Sequence, residues 1–480
     1  MNLQSEVARG VKWVAGAKLG SQLITWGVTI FVMRLLAPTD YGLLAMATVL
    51  LGLLLMFAEV GLGPALVQRK QVGEDDFRQA LGVIWLVNLA LFALANAAAP
   101  LVAAFYREPR LLSLVHVLSL QFLLLPLLVL PDVQLQRRLA YRQRSLVELG
   151  GALTSSLVTL LLALAGAGVW ALALGNLASL VARVLALNCY APSYWRPRWP
   201  GQGVGALLGF GGSVTAARLL WYCFMQADVM IVGRVLGDQL LGLYSVSMHL
   251  ASLPMQRITA ILNQALFPVL ARAQHDLPAI RAGVLQVMGY VGLLAFPMLW
   301  GMAGVAPELV HVVLGPSWAG AVLPLQVLCL VMPFRSLVQL LPTVTDALGQ
   351  PGVGLRNVIL ACSVMPPAFY VGSRWGIEGV AYAWLLAYPL VLLVNMRRML
   401  KVIGLPSADV ARRAGPAVLC AALMFGAVTL LRAPLAGQPR AWALMAEVLG
   451  GMLAYGLASL FLNRAMMAEL RGLLRRRVPT

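Results

Sequence analysis

The chain has 480 residues, of which 60% are hydrophobic and 11% charged, with a formal net charge of +18 and a mean hydropathy of +0.83. A water-soluble domain carries roughly 25% charged residues, so the composition excludes one, and no stretch outside the apolar segments is long enough for a separate soluble domain. The five cysteines (Cys189, Cys223, Cys329, Cys362, Cys420) lie in or beside apolar segments without a CxxC pair, which excludes a disulfide framework and leaves them as packing residues.

About 20 apolar residues cross a bilayer, and fourteen such spans follow one another. The first, near 11–36, is too long for a signal h-region, contains Lys18 and precedes no small-x-small cleavage site, so it is expected to be a permanent span. The others lie near 41–66, 79–100, 111–131, 146–166, 168–190, 207–233, 239–265, 283–303, 318–342, 353–371, 377–396, 412–431 and 441–463. The expected fold is all-α and integral to the membrane, with about 14 transmembrane helices. With a cytoplasmic N-terminus, 24 of the 36 Lys and Arg residues fall on the cytoplasmic side and 7 in outer loops. That is the positive-inside pattern; it places both termini in the cytoplasm and speaks against a nucleic-acid partner. The basic tail at Arg475, Arg476 and Arg477 suits anionic lipid head groups.

An ungapped alignment of 14–66 with 214–266 has 13 identities in 53 positions, including Arg34 with Arg234 and Gly42 with Gly242 in an outer turn. Six spans separate the copies, so both enter the membrane in the same direction and the repeat is parallel. "GAGVWALALG" (166–175) and "GIEGVAYAWL" (376–385) are a second, weaker echo. The expected organisation is two pseudo-symmetric six-helix lobes, 1–190 and 207–400. A cytoplasmic linker, 191–206, joins them, and 401–480 holds two further helices and the tail. Prolines inside the second lobe's spans (Pro254, Pro297, Pro324, Pro333, Pro366, Pro367, Pro389) are expected to kink its helices.

Five cations lie inside spans: Lys18, Arg183, Arg218, Arg257 and Arg335. Lys18 and Arg218 occupy the same position of the repeat. At 1.5 Å per residue, all five fall about 22–25 Å from the outer turns, in the cytoplasmic third of a core roughly 30 Å thick. Such residues either snorkel to head groups or face a cavity for an anion, and Arg forks suit phosphate oxygens. Glu59 lies at the depth of Lys18, whereas Asp228 is nearer the outer face. Glu59, Asp228, His116 and His249 are candidates for ion pairing or for coupling to H+ or Na+, the alternative being satisfied structural polar groups. The sequence has no GxxxxGK[ST], HExxH or GxSxG, and "GEDDF" (73–77) reads as a solvated turn rather than a metal site.

Four segments carry a resemblance: "VMRLLAPTDYGLLAMATVLLGLLLMFAEVGLGPALVQRK" (32–70), "LQRRLAYRQRSLVELGG" (135–151), "GLYSVSMHLASLPMQRITAILNQALFPVLAR" (242–272) and "WGIEGVAYAW" (375–384). They resemble blocks of the Wzx-type lipid-linked oligosaccharide flippases, bacterial polysaccharide exporters of the MOP superfamily, most of all the colanic-acid and exopolysaccharide branch. The resemblance implies two six-helix lobes around a central cavity with two extra C-terminal helices. It also implies a non-enzymatic transporter of the bacterial inner membrane that flips undecaprenyl-pyrophosphate-linked repeat units by alternating access. Cavity cations would hold the pyrophosphate, with Lys18, Arg218 and Arg257 fitting best by position and Arg335 and Arg183 less well. The implied partners are that lipid-linked substrate, membrane lipids, and a polymerase with its chain-length machinery; the implied state is a monomer without cofactor. A drug/cation antiporter would predict acidic residues dominating the cavity. A membrane glycosyltransferase or polymerase would need a large outer loop, and every outer loop here is short.

Overall fold

The computed structural model describes residues 27–58, 73–192, 196–198, 212–272, 276–339, 341–464 and 466–469, with Thr25, Gly63, Leu66 and Val67; the side chains of 212–218, 256–272, 343, 346, 347 and 351 lie outside that description. All regular structure among the described residues is helical. The chain divides into two compact units, Met1–Tyr222 with Gly237–Gly242, and Cys223–Leu236 with Leu243–Thr480.

In the first unit, α1 (Pro38–Ala58) opens with Pro38 in its first turn, and Asp40 Oδ2 accepts a hydrogen bond from the Ala37 amide at 3.0 Å. α2 (Glu74–Tyr106) begins with Glu74, Asp75 and Asp76 at the positive end of its dipole, and Asp76 Oδ2 accepts from the Gly73 amide at 2.9 Å. It stops at Arg107, which takes a left-handed φ of 56°. α3 (Arg110–Ser119) and α4 (Gln121–Arg137) together make one 28-residue span. α5 (Tyr141–Leu164) and α6 (Val169–Tyr190) form a hairpin, tight enough that a Cβ on Gly175 would overlap Thr159 Oγ1. The buried Asn88 amide donates to the carbonyls of Ala58 and Ile84, each at 2.8 Å, so the end of α1 is satisfied from α2.

α7 (Gly212–Arg272) breaks at Gly237, where φ is 85° and ψ −178°, a conformation that glycine adopts without strain. The turn that follows, Gly237–Gly242, packs within the first unit. A Cβ on Gly42 would overlap the Asp238 carbonyl, and a Cβ on Gly242 would overlap the Pro38 carbonyl. These are the positions the repeat aligns, 38 with 238 and 42 with 242, so the two copies meet through a reciprocal contact. Beside it, Arg110 donates to Asp238 at 2.7 Å and to both carboxylate oxygens of Glu108 at 2.7 and 2.9 Å. The hydrogen bond from Arg110 holds the Glu108 carboxyl below its usual range.

The second unit contains α8 (Leu277–Gly304), capped by Asp276 Oδ1 accepting from the Ala279 amide at 3.1 Å. A short α9 (Ala306–Leu309), a π-turn (Val310–Leu314) and a 3-10 segment (Pro316–Ala321) lead to α10 (Val322–Gln339). α11 (Leu341–Ala347), α12 (Pro351–Gly372), α13 (Gly376–Leu386) and α14 (Tyr388–Ile403) follow, and α15 (Ser407–Leu435) and α16 (Arg440–Leu462) close the chain as a hairpin packed on α8. The backbones of α12 and α13 touch at Gly372 and Gly379, where neither has room for a Cβ. Pro297, Pro333, Pro366 and Pro367 lie inside helices here, whereas Pro389 stands in the first turn of α14, where it removes no helical hydrogen bond. Below the hairpin, Glu469 accepts from Arg413 at 2.5 Å, Tyr290 at 2.8 Å and Gln286 at 2.9 Å, fastening residues 466–469 to α8 and α15.

Among the described residues eleven helices are long and apolar enough to cross a membrane; Leu219–Met255, broken at Gly237, and Gly352–Ile403 each carry two passes. Their outward faces are rows of exposed leucines such as Leu386 and Leu430, as lipid contact requires. The chain is a multi-pass, all-α integral membrane protein.

Candidate functional site

The second unit holds a buried polar chain that begins at a carboxylate and ends at a cation. Asp228, 3% exposed on α7, accepts the Tyr244 hydroxyl on Oδ2 at 2.7 Å and the Val229 amide on Oδ1 at 2.8 Å. Tyr244 in turn accepts from the indole Nε1 of Trp384 at 2.9 Å. Trp384, from α13, stacks at tilted or edge-on angles with Phe224, Phe369 and Tyr388, which hold its plane. Over that ring, with its Cζ 5.2 Å from the centroid, lies the guanidinium of Arg335 from α10.

Arg335 has soft company. Nη2 is 3.0 Å from the Met225 sulfur, Nη1 is 4.0 Å from the Met332 sulfur, and the aromatic face lies beneath. A thioether is a weak acceptor, and a cation over a ring gains about 0.5–2 kcal/mol depending on desolvation. No carboxylate among the described residues lies within ion-pair distance of it; Asp228 is joined to it by hydrogen bonds through Tyr244 and Trp384 and by the longer-range attraction of their charges. A half-buried guanidinium whose close contacts among the described residues are two sulfurs and an aromatic face is suited to an anion with several oxygens.

The other residues named from the sequence fall as follows. Lys18 and Glu59 lie outside the described residues. Arg218 and Arg257 lie on α7, with side chains outside the description. Arg183 belongs to the first unit: its stem crosses Gly151 at the α5–α6 contact, and its Nε is buried without a hydrogen-bond partner. His249 is exposed on α7, and His116 is exposed on α3. Asp228 and Arg335 are thus the two candidates joined by one network. Sequence reasoning missed Tyr244, Trp384 and Met225, although Tyr244 and Trp384 sit inside the blocks "GLYSVS" and "WGIEGVAYAW" that carried the resemblance.

The description "Polysaccharide biosynthesis protein" matches residues 31–323, and the chain belongs to that family. It is 24% identical over 417 residues to the lipopolysaccharide biosynthesis protein WzxC of Escherichia coli (strain K12), covering 84% of this chain and 82% of that protein. Among solved structures it is similar to the lipid II flippase MurJ in an inward closed conformation, at a TM-score of 0.74 and 13% identity, over 95% of this chain and 99% of that one. An inward-facing multidrug resistance MATE family transporter of the MOP superfamily is similar at a TM-score of 0.59 and 14% identity, covering 80% of this chain and 94% of that one. The chain is thus a multi-pass membrane protein of the polysaccharide biosynthesis family, and it shares its fold with the MurJ flippase.

Proposed function

We propose that this chain flips undecaprenyl-pyrophosphate-linked oligosaccharide repeat units from the inner to the outer leaflet of the bacterial cytoplasmic membrane, by alternating access of two lobes, 1–190 and 207–400, joined by the linker 191–206. Both termini are cytoplasmic, and the flipped units pass to a polymerase and its chain-length machinery. The observation that carries this reading is Arg335, a half-buried cation above Trp384 with no carboxylate within ion-pair distance among the described residues. Arg forks match pyrophosphate oxygens, and an antiporter of organic cations would place acids there instead. Lys18, Arg218, Arg257 and Arg183 complete the cationic set.

The test is reconstitution. Liposomes holding the purified chain and a fluorescent undecaprenyl-pyrophosphate oligosaccharide in both leaflets are expected to expose the inner-leaflet label to an external lectin. Rates equal to protein-free vesicles overturn the proposal. Lys18→Gln, Arg218→Gln and Arg257→Gln are expected to slow this exposure, and normal rates in all three would show that these cations do not hold the pyrophosphate.

Asp228 is the proposed coupling carboxylate, because it is a buried acid whose hydrogen bonds from Tyr244 and the Val229 amide link it to the ring beneath Arg335. Asp228→Asn keeps an oxygen for Tyr244 and removes the charge. The variant is expected to flip at a rate that no longer responds to an imposed proton or sodium gradient. An undiminished response to both gradients removes Asp228 from coupling and leaves it a structural acceptor.

A further inference from the structure

One end of the C-terminal hairpin carries a second charged cluster, unrelated to the Asp228–Arg335 network. Glu447 lies two turns into α16 and is 0% exposed. Neither of its carboxylate oxygens has a hydrogen-bond partner. Its helix neighbours Leu444 and Val448 belong to an apolar cluster with Val305 and Val428. Arg432 of α15 faces it, with Nε 3.7 Å from Glu447 Oε1 and 3.7 Å from Glu308 Oε2, both beyond hydrogen-bond reach. Arg432 Nη2 is committed to the Gly304 carbonyl, and neither Arg432 Nε nor Glu308 Oε2 has a partner. Glu308 and Glu447 thus converge on the same guanidinium nitrogen, each with an acceptor oxygen that no donor satisfies.

Charge counting makes the same point. Two carboxylates, of which Glu447 is fully buried, and one partly exposed guanidinium leave one net negative charge, an arrangement that burial penalises unless the charge is removed. The remaining titratable groups on the packed elements do not supply it. His311 on the π-turn engages the Pro307 carbonyl through Nδ1 at 2.8 Å, and Tyr455 donates to the Leu293 carbonyl at 2.9 Å. Cys420 of α15 turns to Ser459, Arg440 is exposed at the start of α16, and Arg281 and Tyr290 lie toward the opposite end of α8. A metal ion would meet Arg432 and, among the described residues, would find no third acidic ligand beside these two carboxyls, whereas oxygen-bound cations take about six or more oxygens. A single proton supplies the missing donor and brings the trio to neutrality.

We propose that Glu308 and Glu447 hold one shared proton beside Arg432, forming a proton-binding site between α9 and the C-terminal hairpin. Loss of the proton sets two like charges against each other across the contact between α9 and α16, so occupancy controls how firmly the hairpin is held there.

Infrared difference spectra of the full chain in nanodiscs, recorded across a pH jump, test this directly. The wild type is expected to show the carbonyl stretch of a protonated carboxylic acid at neutral pH, downshifted in D2O and lost at alkaline pH. Glu447→Gln and Glu308→Gln are each expected to abolish that component, because the remaining carboxylate then pairs with Arg432 and ionises. A merely packed, unshared acid would lose the component in one variant only. The proposal is overturned if either folded variant keeps the component, or if the wild type lacks it. It is equally overturned if sodium raises the thermal midpoint of the wild type but not of Glu447→Gln, since the site then takes a metal cation. Should one variant fail to fold, the other and the wild-type spectrum decide.

Discussion

Arg335→Gln is expected to lower export of lipid-linked repeat units about tenfold or more, which is about 1.4 kcal/mol or more of lost binding, at unchanged protein abundance. A charged hydrogen bond to an anion contributes about 1.5–3 kcal/mol, and among the described residues the guanidinium has no carboxylate within ion-pair distance to share that role. Glutamine keeps hydrogen-bonding capacity and removes the charge, so the variant separates electrostatics from volume. Arg335→Lys should fall between the two: the ammonium retains the charge but loses the planar fork and much of the stacking on Trp384. The measurement is the ratio of undecaprenyl-linked repeat units retained in the membrane to polysaccharide at the cell surface, in a strain that depends on this chain. Full export by Arg335→Gln would remove this residue from the binding set, and comparable losses in Gln and Lys would point to geometry rather than charge.

The second large effect lies at the reciprocal glycine contact. Gly42→Ala and Gly242→Ala each add one carbon where a backbone carbonyl already stands, at Asp238 and Pro38 respectively. Overpacking of this kind costs about 1–3 kcal/mol, and the obstacle is backbone, which cannot turn aside as a side chain would. Each variant should therefore lower the thermal midpoint of the purified protein. Because both changes break the same contact, the double variant should fall short of the sum of the two. Strict additivity would show that the two turns are held independently, against the reciprocity seen in the structure. The exposed Arg110–Asp238 pair beside the contact should matter much less, since exposed ion pairs contribute about 0–1 kcal/mol.

The helical spans were legible because hydrocarbon imposes length and apolarity on each one, and the boundaries of α5, α6, α8, α15 and α16 lie within a few residues of the apolar runs. What hydropathy does not encode is backbone irregularity. The division of one span into α3 and α4, and the π-turn at Val310–Leu314, depend on local hydrogen bonding that apolar composition leaves open. The repeat identified Gly42 and Gly242 as equivalent, but equivalence does not reveal contact, and only the fold shows that they meet. Depth along a helix singled out Arg335, yet gave no sign of Trp384 and Tyr244, because aromatic residues in an apolar span look like packing until their polar atoms are seen to be paired. Glu308, Arg432 and Glu447 were invisible for a simpler reason: they are separated by more than a hundred residues at one step and share no spacing pattern, so nothing short of the packing of α9, α15 and α16 brings them together.

The network beneath Arg335 also has a direction. An indole N–H can only donate, so the Tyr244 oxygen receives from Trp384 and must spend its single hydrogen on Asp228. With Asp228 ionised, the sequence of donors has one consistent order. Once Asp228 is protonated it can become a donor itself, and the Tyr244 oxygen then faces two incoming hydrogens while its own needs a new acceptor. The indole that forms the platform for the guanidinium is the other end of that order. Trp384 emission therefore offers an optical gauge of the charge on a carboxylate two hydrogen bonds away, and the same two bonds give that charge a mechanical grip on the surface where the cation rests.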